Sequence, residues 1–214
     1  VTAYVYDKCS HKIQTDALPD FSKREGMLFV GGFVHEPNLD AMRWFTKEIL
    51  PHIRKSLDAP FYIVGSHVPK ELTALDGKDG ICVKGYVPEE ELQKLYGRCR
   101  LAVVPLRYGA GVKGKVVEAA YYGVPVVTTA VGAEGIVNAG HILRIQDDPQ
   151  AFAEETVRFY QDAGALKQTS ERMQDYVEQN FSTRAVWEKV AEDFQYAGCL
   201  GESGRGFCDG WQQS

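Results

Sequence analysis

Three cations, three glycines and one carboxylate are gathered in the run PLRYGAGVKGKVVE, from Pro105 to Glu118. Glycine lets backbone approach a ligand closely, and the unsatisfied N–H groups at a helix start attract anions. Lys113 and Lys115 add positive charge where a phosphate would sit. Lys115 and Glu118 stand three residues apart and therefore share a face if this segment is helical. A cation beside a pyrophosphate, with a carboxylate one turn deeper accepting hydrogen bonds from ribose hydroxyls, would read a nucleoside diphosphate.

Positioning such a loop requires a strand before it and a helix after it, and the flanking sequence supplies both. From residue 26 onward short apolar runs alternate with helical patterns, which is the signature of βα units around a parallel sheet. Strands are predicted at 27–30, 61–64, 81–84, 101–105, 126–128 and 142–145. Helices are predicted at 38–55 after Pro37, at 89–96 after Pro88, and at 115–122 before Gly123. Ligands of open parallel sheets bind outside the carboxyl ends of the strands. The segments to watch are therefore Gly31-Gly32-Phe33, Gly65-Ser66-His67, Gly85-Tyr86-Val87-Pro88 and the loop from Leu106 to Gly114. Beyond Asp148 the pattern turns purely helical, over 150–163, 165–179 and 183–197. The expected architecture is an α/β, Rossmann-like parallel sheet flanked by helices, with C-terminal helices. Residues 1–25 read as a linker, 26–197 as the domain and 198–214 as a glycine-rich tail.

Composition narrows the function classes. The chain has 214 residues, 44% hydrophobic and 25% charged, which suits a folded domain rather than disorder. Its 24 Lys and Arg against 29 Asp and Glu give a net charge of −5, which argues against a nucleic-acid partner. Any bound anion must meet a local basic site. Five cysteines without a C-x-x-C pair suit free thiols in a reducing compartment, and no metal constellation is visible. No run reaches the roughly 18 apolar residues that a membrane helix needs, so no transmembrane segment is expected, and the cytoplasm is the expected location.

Gly109-x-Gly111-x-x-Gly114 fits the dinucleotide fingerprint literally, which keeps an NAD-dependent oxidoreductase as one alternative. In that fingerprint, however, the strand runs straight into the first glycine and an acidic residue closes the next strand. Here four residues intervene, and the next strand ends in Thr128-Thr129.

Taken together, FVGGFVHEPNLDA, FYIVGS, VKGYVPEEEL, LAVVPLRYGAGVKGKVVEAAYYGVPVVTT and VGAEG resemble the C-terminal, donor-binding half of GT-B glycosyltransferases, family 4 (glycosyl transferases group 1). The resemblance implies binding of a nucleotide diphosphate sugar as donor substrate, no separate cofactor, and transfer to an acceptor hydroxyl, with retention. It makes Glu118 the ribose-holding second glutamate of an E-x7-E motif. Ala110 stands where the first, sugar-contacting glutamate would be. Lys113 and Lys115 fall in a G-x-K-x-K variant of this loop and resemble the cations that neutralise the leaving diphosphate, so they are the candidate catalytic residues. Gly31 and Gly32 match the glycine turn facing the donor phosphates, with Phe33-Val34-His35 where Arg and Lys often follow. The backbone of Tyr86 and Val87 matches the segment that meets the base, and Gly109 and Gly111 belong to the phosphate loop.

The resemblance also implies a second, N-terminal domain carrying the acceptor site, so this chain by itself is expected to be inactive. A non-catalytic GT-B-like binding module is the other alternative, which Ala110 makes credible. Plainer roles compete residue by residue. Glu118 could simply pair with Lys115, Arg107 could merely flank the loop, Glu134 could cap a turn, and His35 and His67 could be surface residues. Trp44, Phe45, Ile49, Phe152 and Phe159 read as core.

Overall fold

A computed structural model describes residues 20–196; the N-terminal linker reading up to residue 19 and the whole tail reading lie outside these residues. The predicted strands appear as β1 Met27–Val30, β2 Phe61–Val64, β3 Ile81–Gly85, β4 Leu101–Val104, β5 Val126–Thr128 and β6 Arg144–Ile145. All pair in parallel in the order β3-β2-β1-β4-β5-β6. β2 and β4 are buried along their whole length, as expected of parallel strands covered by helices on both faces. The order reverses between β1 and β4. The crevice at their carboxyl ends is where ligands of such sheets bind.

Helices α1 Glu36–Trp44, α2 Leu50–Ile53, α3 Lys70–Thr73, α4 Glu89–Arg98 and α5 Gly114–Tyr121 connect the strands. The single helix predicted over 38–55 is instead broken by a π-helical turn at Phe45–Ile49. Pro51 explains the break, because it has no N–H for the usual bond four residues back. The Leu50 N–H reaches Phe45 O, five residues back, and Thr46 Oγ1 donates to Met42 O at 2.7 Å. The wider turn still buries its apolar face, with Phe45 packed 4.7 Å from Phe61 and Trp44 edge-on to Phe152. The strand predicted at 142–145 is shortened to β6. Ile142 and Leu143 are buried, but a 3-10 turn at Ala139–His141 delivers them, so only Arg144 and Ile145 reach the ladder.

Three further helices, α6 Pro149–Gln161, α7 Ala163–Phe181 and α8 Thr183–Tyr196, follow the sheet. Asp148 caps α6 by accepting from the Ala151 N–H at 2.9 Å, and Asp162 caps α7 through the Ala165 N–H at 2.8 Å. These helices belong to the same packed body. Tyr160 of α6 accepts the Gly26 N–H at 2.8 Å just ahead of β1. From α7, Ser170 Oγ donates to Gly123 O at 2.7 Å and Gln174 Nε2 donates to Tyr121 O at 3.2 Å. Both carbonyls lie at the C-terminal end of α5, where backbone acceptors would otherwise lack partners. Residues 20–25 also pack onto the body, with Phe21 buried beneath the Arg24 guanidinium at 4.1 Å.

Candidate functional site

The carboxyl ends of β1, β2 and β3 are stitched together through glycines. Gly31 N–H donates to Val64 O and Gly65 N–H to Gly85 O, each at 2.9 Å. A side chain at Gly65 would strike the backbone carbonyl of Gly31, so the close approach of the two turns requires glycine there. This row brings Gly31-Gly32, Gly65-Ser66 and Gly85-Tyr86 onto one edge of the sheet. Tyr86 is 78% exposed, whereas Val87 is buried and anchors the turn ahead of α4.

On the other side of the switch point, the loop after β4 is shaped by its glycines and by Lys113. Gly109 and Gly111 take φ of +118° and +79°, which glycine adopts without strain. Lys113 is 9% exposed, and its ammonium donates to Gly109 O at 3.0 Å, Gly111 O at 2.5 Å and Glu134 Oε2 at 3.1 Å. The Lys113 ammonium, helped by the Gly111 N–H, holds the Glu134 carboxyl below the usual carboxylate range. Lys113 thus folds back on its own loop, in contrast to the sequence expectation that it reaches toward a diphosphate. Thr129 fixes the start of the loop from β5, its hydroxyl donating to Leu106 O. Arg107 turns to α1, where its guanidinium meets Asp40 at 2.9 Å and lies 5.6 Å from the Trp44 ring. The plainer reading of Arg107 therefore describes it.

Lys115, in the first turn of α5, crosses the crevice instead. Its amine lies 4.3 Å from the centre of the Phe29 ring and donates to Asn38 Oδ1. A Cβ added to Gly31 would sit 2.7 Å from that amine and 3.0 Å from the Asn38 amide, so glycine at 31 makes room for both. Among the described residues no carboxylate pairs with Lys115. Removal from water pulls its amine down from the ordinary 10.5 to about 7. The helix itself starts at Lys113 without a side-chain cap, which leaves its amino end facing the same crevice.

Glu118 lies one turn further along α5. The Tyr96 hydroxyl donates to its Oε2 at 3.1 Å, and the Tyr96 ring stacks on Tyr122 with centres 4.6 Å apart. Tyr122 OH donates in turn to Glu89 Oε1 at 2.8 Å, so α4 and α5 hold the carboxylate between them. The Lys115–Glu118 pair allowed by spacing does not form; the two side chains leave α5 toward different partners. The Tyr121-Tyr122 pair is packing, with ring centres 5.1 Å apart. His35 and His67 are both exposed.

Sequence reasoning brought Lys115, Gly31, Gly32, Gly109 and Glu118 to one edge but missed Asn38 and Tyr96. Asn38 sits in the first turn of a helix that follows a glycine turn, a place from which a short amide reaches back to the loop; that was the available signal. The Gly109-Gly111-Gly114 run follows β4, whereas a dinucleotide fingerprint belongs after the first strand, where this chain has Gly31-Gly32.

A curated relative, an uncharacterized 44.6 kDa protein in the cps region of Klebsiella pneumoniae, is 27% identical over 177 residues. That match covers 78% of this chain but 45% of the relative, so the chain spans less than half the relative's length. Among solved structures, TarM matches with a TM-score of 0.66 at 16% identity, over 80% of this chain and 35% of TarM. Sucrose-phosphate synthase from Thermosynechococcus elongatus matches at 0.64 and 17% identity, over 93% of this chain and 50% of that one. Anabaena HepE, solved with UDP and glucose, matches at 0.63 and 16% identity, over 89% and 55% respectively. These likenesses carry the fold, a Rossmann-like lobe of the GT-B type. The model for glycosyl transferases group 1 matches residues 24–162, which contain β1 to β6 and all the site residues above, and the chain belongs to that family.

Proposed function

We propose that this chain is the donor-binding lobe of a glycosyltransferase and takes a nucleotide diphosphate sugar at the carboxyl edge between β1 and β4. The observation that carries the reading is Lys115, whose amine is held over Phe29 against the Gly31-Gly32 turn with no carboxylate partner among the described residues. A partly buried cation at a glycine turn beside a helix start is suited to a diphosphate. Glu118, held by Tyr96, is placed to accept from ribose hydroxyls, and the exposed turn at Tyr86 is the place for the base. That HepE was solved with UDP and glucose supports this class of ligand.

In the proposed reaction the acceptor oxygen bonds to the anomeric carbon on the face from which the diphosphate departs, which gives retention, and the acceptor's hydroxyl proton passes to the departing phosphate oxygen, on which charge develops. Lys115 and the amino end of α5 stabilise that charge. Lys113 acts indirectly, keeping the glycine loop open toward the ligand through its bonds to Gly109, Gly111 and Glu134. Transfer also needs an acceptor hydroxyl held beside the leaving diphosphate, and well-oriented reactants gain about 7–11 kcal/mol from proximity. Since relatives are about twice as long as the match, we assign the acceptor site to a further domain and expect this chain alone to bind donor without transferring sugar.

The test is a calorimetric and thermal-shift panel of UDP, GDP, ADP and TDP sugars against the chain, with an expected Kd of about 10⁻⁴ M for the best of them. No heat and no stabilisation at millimolar nucleotide would refute the reading. Ala110, in place of the sugar-contacting glutamate, favours a second reading as a non-catalytic binding module. Labelled-sugar transfer by the longest natural form of the protein separates the two.

A further inference from the structure

Asn38 is buried at the start of α1, and each end of its amide has a job. Nδ2 donates to Gly32 O at 2.7 Å, while Oδ1 accepts from Lys115, which lies 77 residues away in sequence. The amide therefore fixes the shape of the glycine turn and the position of the amine together. It does so without charge. An aspartate of the same size would give the amine a permanent counter-ion and set an oxygen against the Gly32 carbonyl.

The other groups around the amine are equally uncharged or already occupied. β1 presents the Phe29 ring and the turn after it presents Gly31. On its own helix, Glu118 meets Tyr96, and at the helix start Lys113 meets two carbonyls and Glu134. From α1, Asp40 is paired with Arg107, and His35 is exposed.

On the reading that this edge takes a nucleoside diphosphate, we propose that Asn38 is a positioning residue that holds the Lys115 amine in the glycine turn without a counter-ion. The incoming diphosphate is then the amine's first anionic partner, and its arrival draws a proton from solvent onto the amine. The depressed titration of the Lys115 amine, to about 7, agrees with this. Charge on the protein thus arrives with the ligand, and the site discriminates diphosphates from uncharged nucleosides by the same device.

Two measurements on the whole chain test it, using the parent, Asn38→Ala and Asn38→Asp. The first follows the Lys115 amine through its ¹³Cε signal in the ligand-free protein as pH is raised. The parent should titrate near neutrality, Asn38→Ala should shift as the amine loses its place, and Asn38→Asp should return the amine toward its ordinary value of 10.5. The second is calorimetry of UDP, inorganic pyrophosphate and uridine in buffers of different ionisation enthalpy.

Binding of UDP to the parent should show buffer-dependent heat, and Asn38→Ala should weaken UDP and pyrophosphate about tenfold with uridine unchanged. Asn38→Asp should weaken UDP further and abolish the buffer dependence. A Lys115 amine that titrates alike in all three proteins overturns the role of Asn38, whatever binds. If UDP and pyrophosphate both fail to bind the parent while the amine responds to the substitutions, the donor reading and the proton uptake fall, and the hold of Asn38 on Lys115 stands.

Discussion

Replacing Lys115 with methionine should stabilise the fold at neutral pH while removing diphosphate binding. Methionine keeps an unbranched apolar stem against Phe29 and deletes the amine. The linkage has a definite sign. The folded amine titrates near 7 and the unfolded one near 10.5, so between those values the unfolded chain holds the extra proton and stability rises with pH. Below the folded value the destabilisation is fully present; above the unfolded value it is gone. A tenfold change in proton affinity corresponds to about 1.4 kcal/mol, so the fall from 10.5 to about 7 is worth at most about 5 kcal/mol, and relaxation with water entry reduces it to about 2–3 kcal/mol.

The assay is urea unfolding of parent and variant from about pH 6 to pH 10, with the difference in unfolding free energy as the readout, so that groups common to both proteins cancel. Cys99, whose thiol burial pushes up to about 12, and the buried tyrosines are among the groups that cancel. The parent should gain on the variant by about 2–3 kcal/mol across that range. A difference that is flat with pH, or a variant less stable at pH 7 by the amount a lost favourable ion pair would give, would refute the desolvation argument.

Gly31→Ala places a methyl 2.7 Å from the Lys115 amine, and should weaken UDP by about tenfold or more in calorimetry while the melting temperature moves little. Gly65→Ala drives a Cβ into the Gly31 carbonyl, and should destabilise the chain by more than about 3 kcal/mol in urea unfolding, since neither backbone can yield. Tyr96→Phe removes the hydroxyl that holds Glu118, and should weaken UDP and uridine alike by about fivefold, unlike changes at Lys115, which spare the nucleoside. Arg107→Ala breaks a pair whose arginine is half exposed, and should cost less than about 1 kcal/mol and leave affinity unchanged by the same calorimetry.

The strands were legible because parallel strands buried on both faces must be continuous apolar runs, and β1 and β2 fall where 27–30 and 61–64 were drawn. The break in the 38–55 helix was not, because the apolar stripe passes through Phe45 and Ile49 in a π-helical turn much as in an α-helical one; Pro51 was the only local sign. At the site, spacing revealed that Lys115 and Glu118 share α5 but not which way each side chain leaves it. Those directions depend on Asn38 and Tyr96, which come from other βα units, and periodicity within one segment carries nothing about them. Lys113 shows the same limit from the other side: its charge and place in the loop suggested a ligand, and its own backbone carbonyls received it.

The grip of α7 on the end of α5 has a consequence for how the protein is made. Ser170 and Gln174 close the carbonyls of Gly123 and Tyr121, so the helix that carries Lys115 and Glu118 is finished only by residues about fifty positions further along the chain. Domains fold as units during synthesis, from the amino end. While a ribosome has extended the chain no further than β6, strands β1 to β6 have been translated but α5 still lacks its closing partners. A nascent chain stalled there should bind nucleotide poorly and expose the apolar back of α5 to chaperones, whereas one stalled after α7 has emerged should be protected from protease and competent to bind.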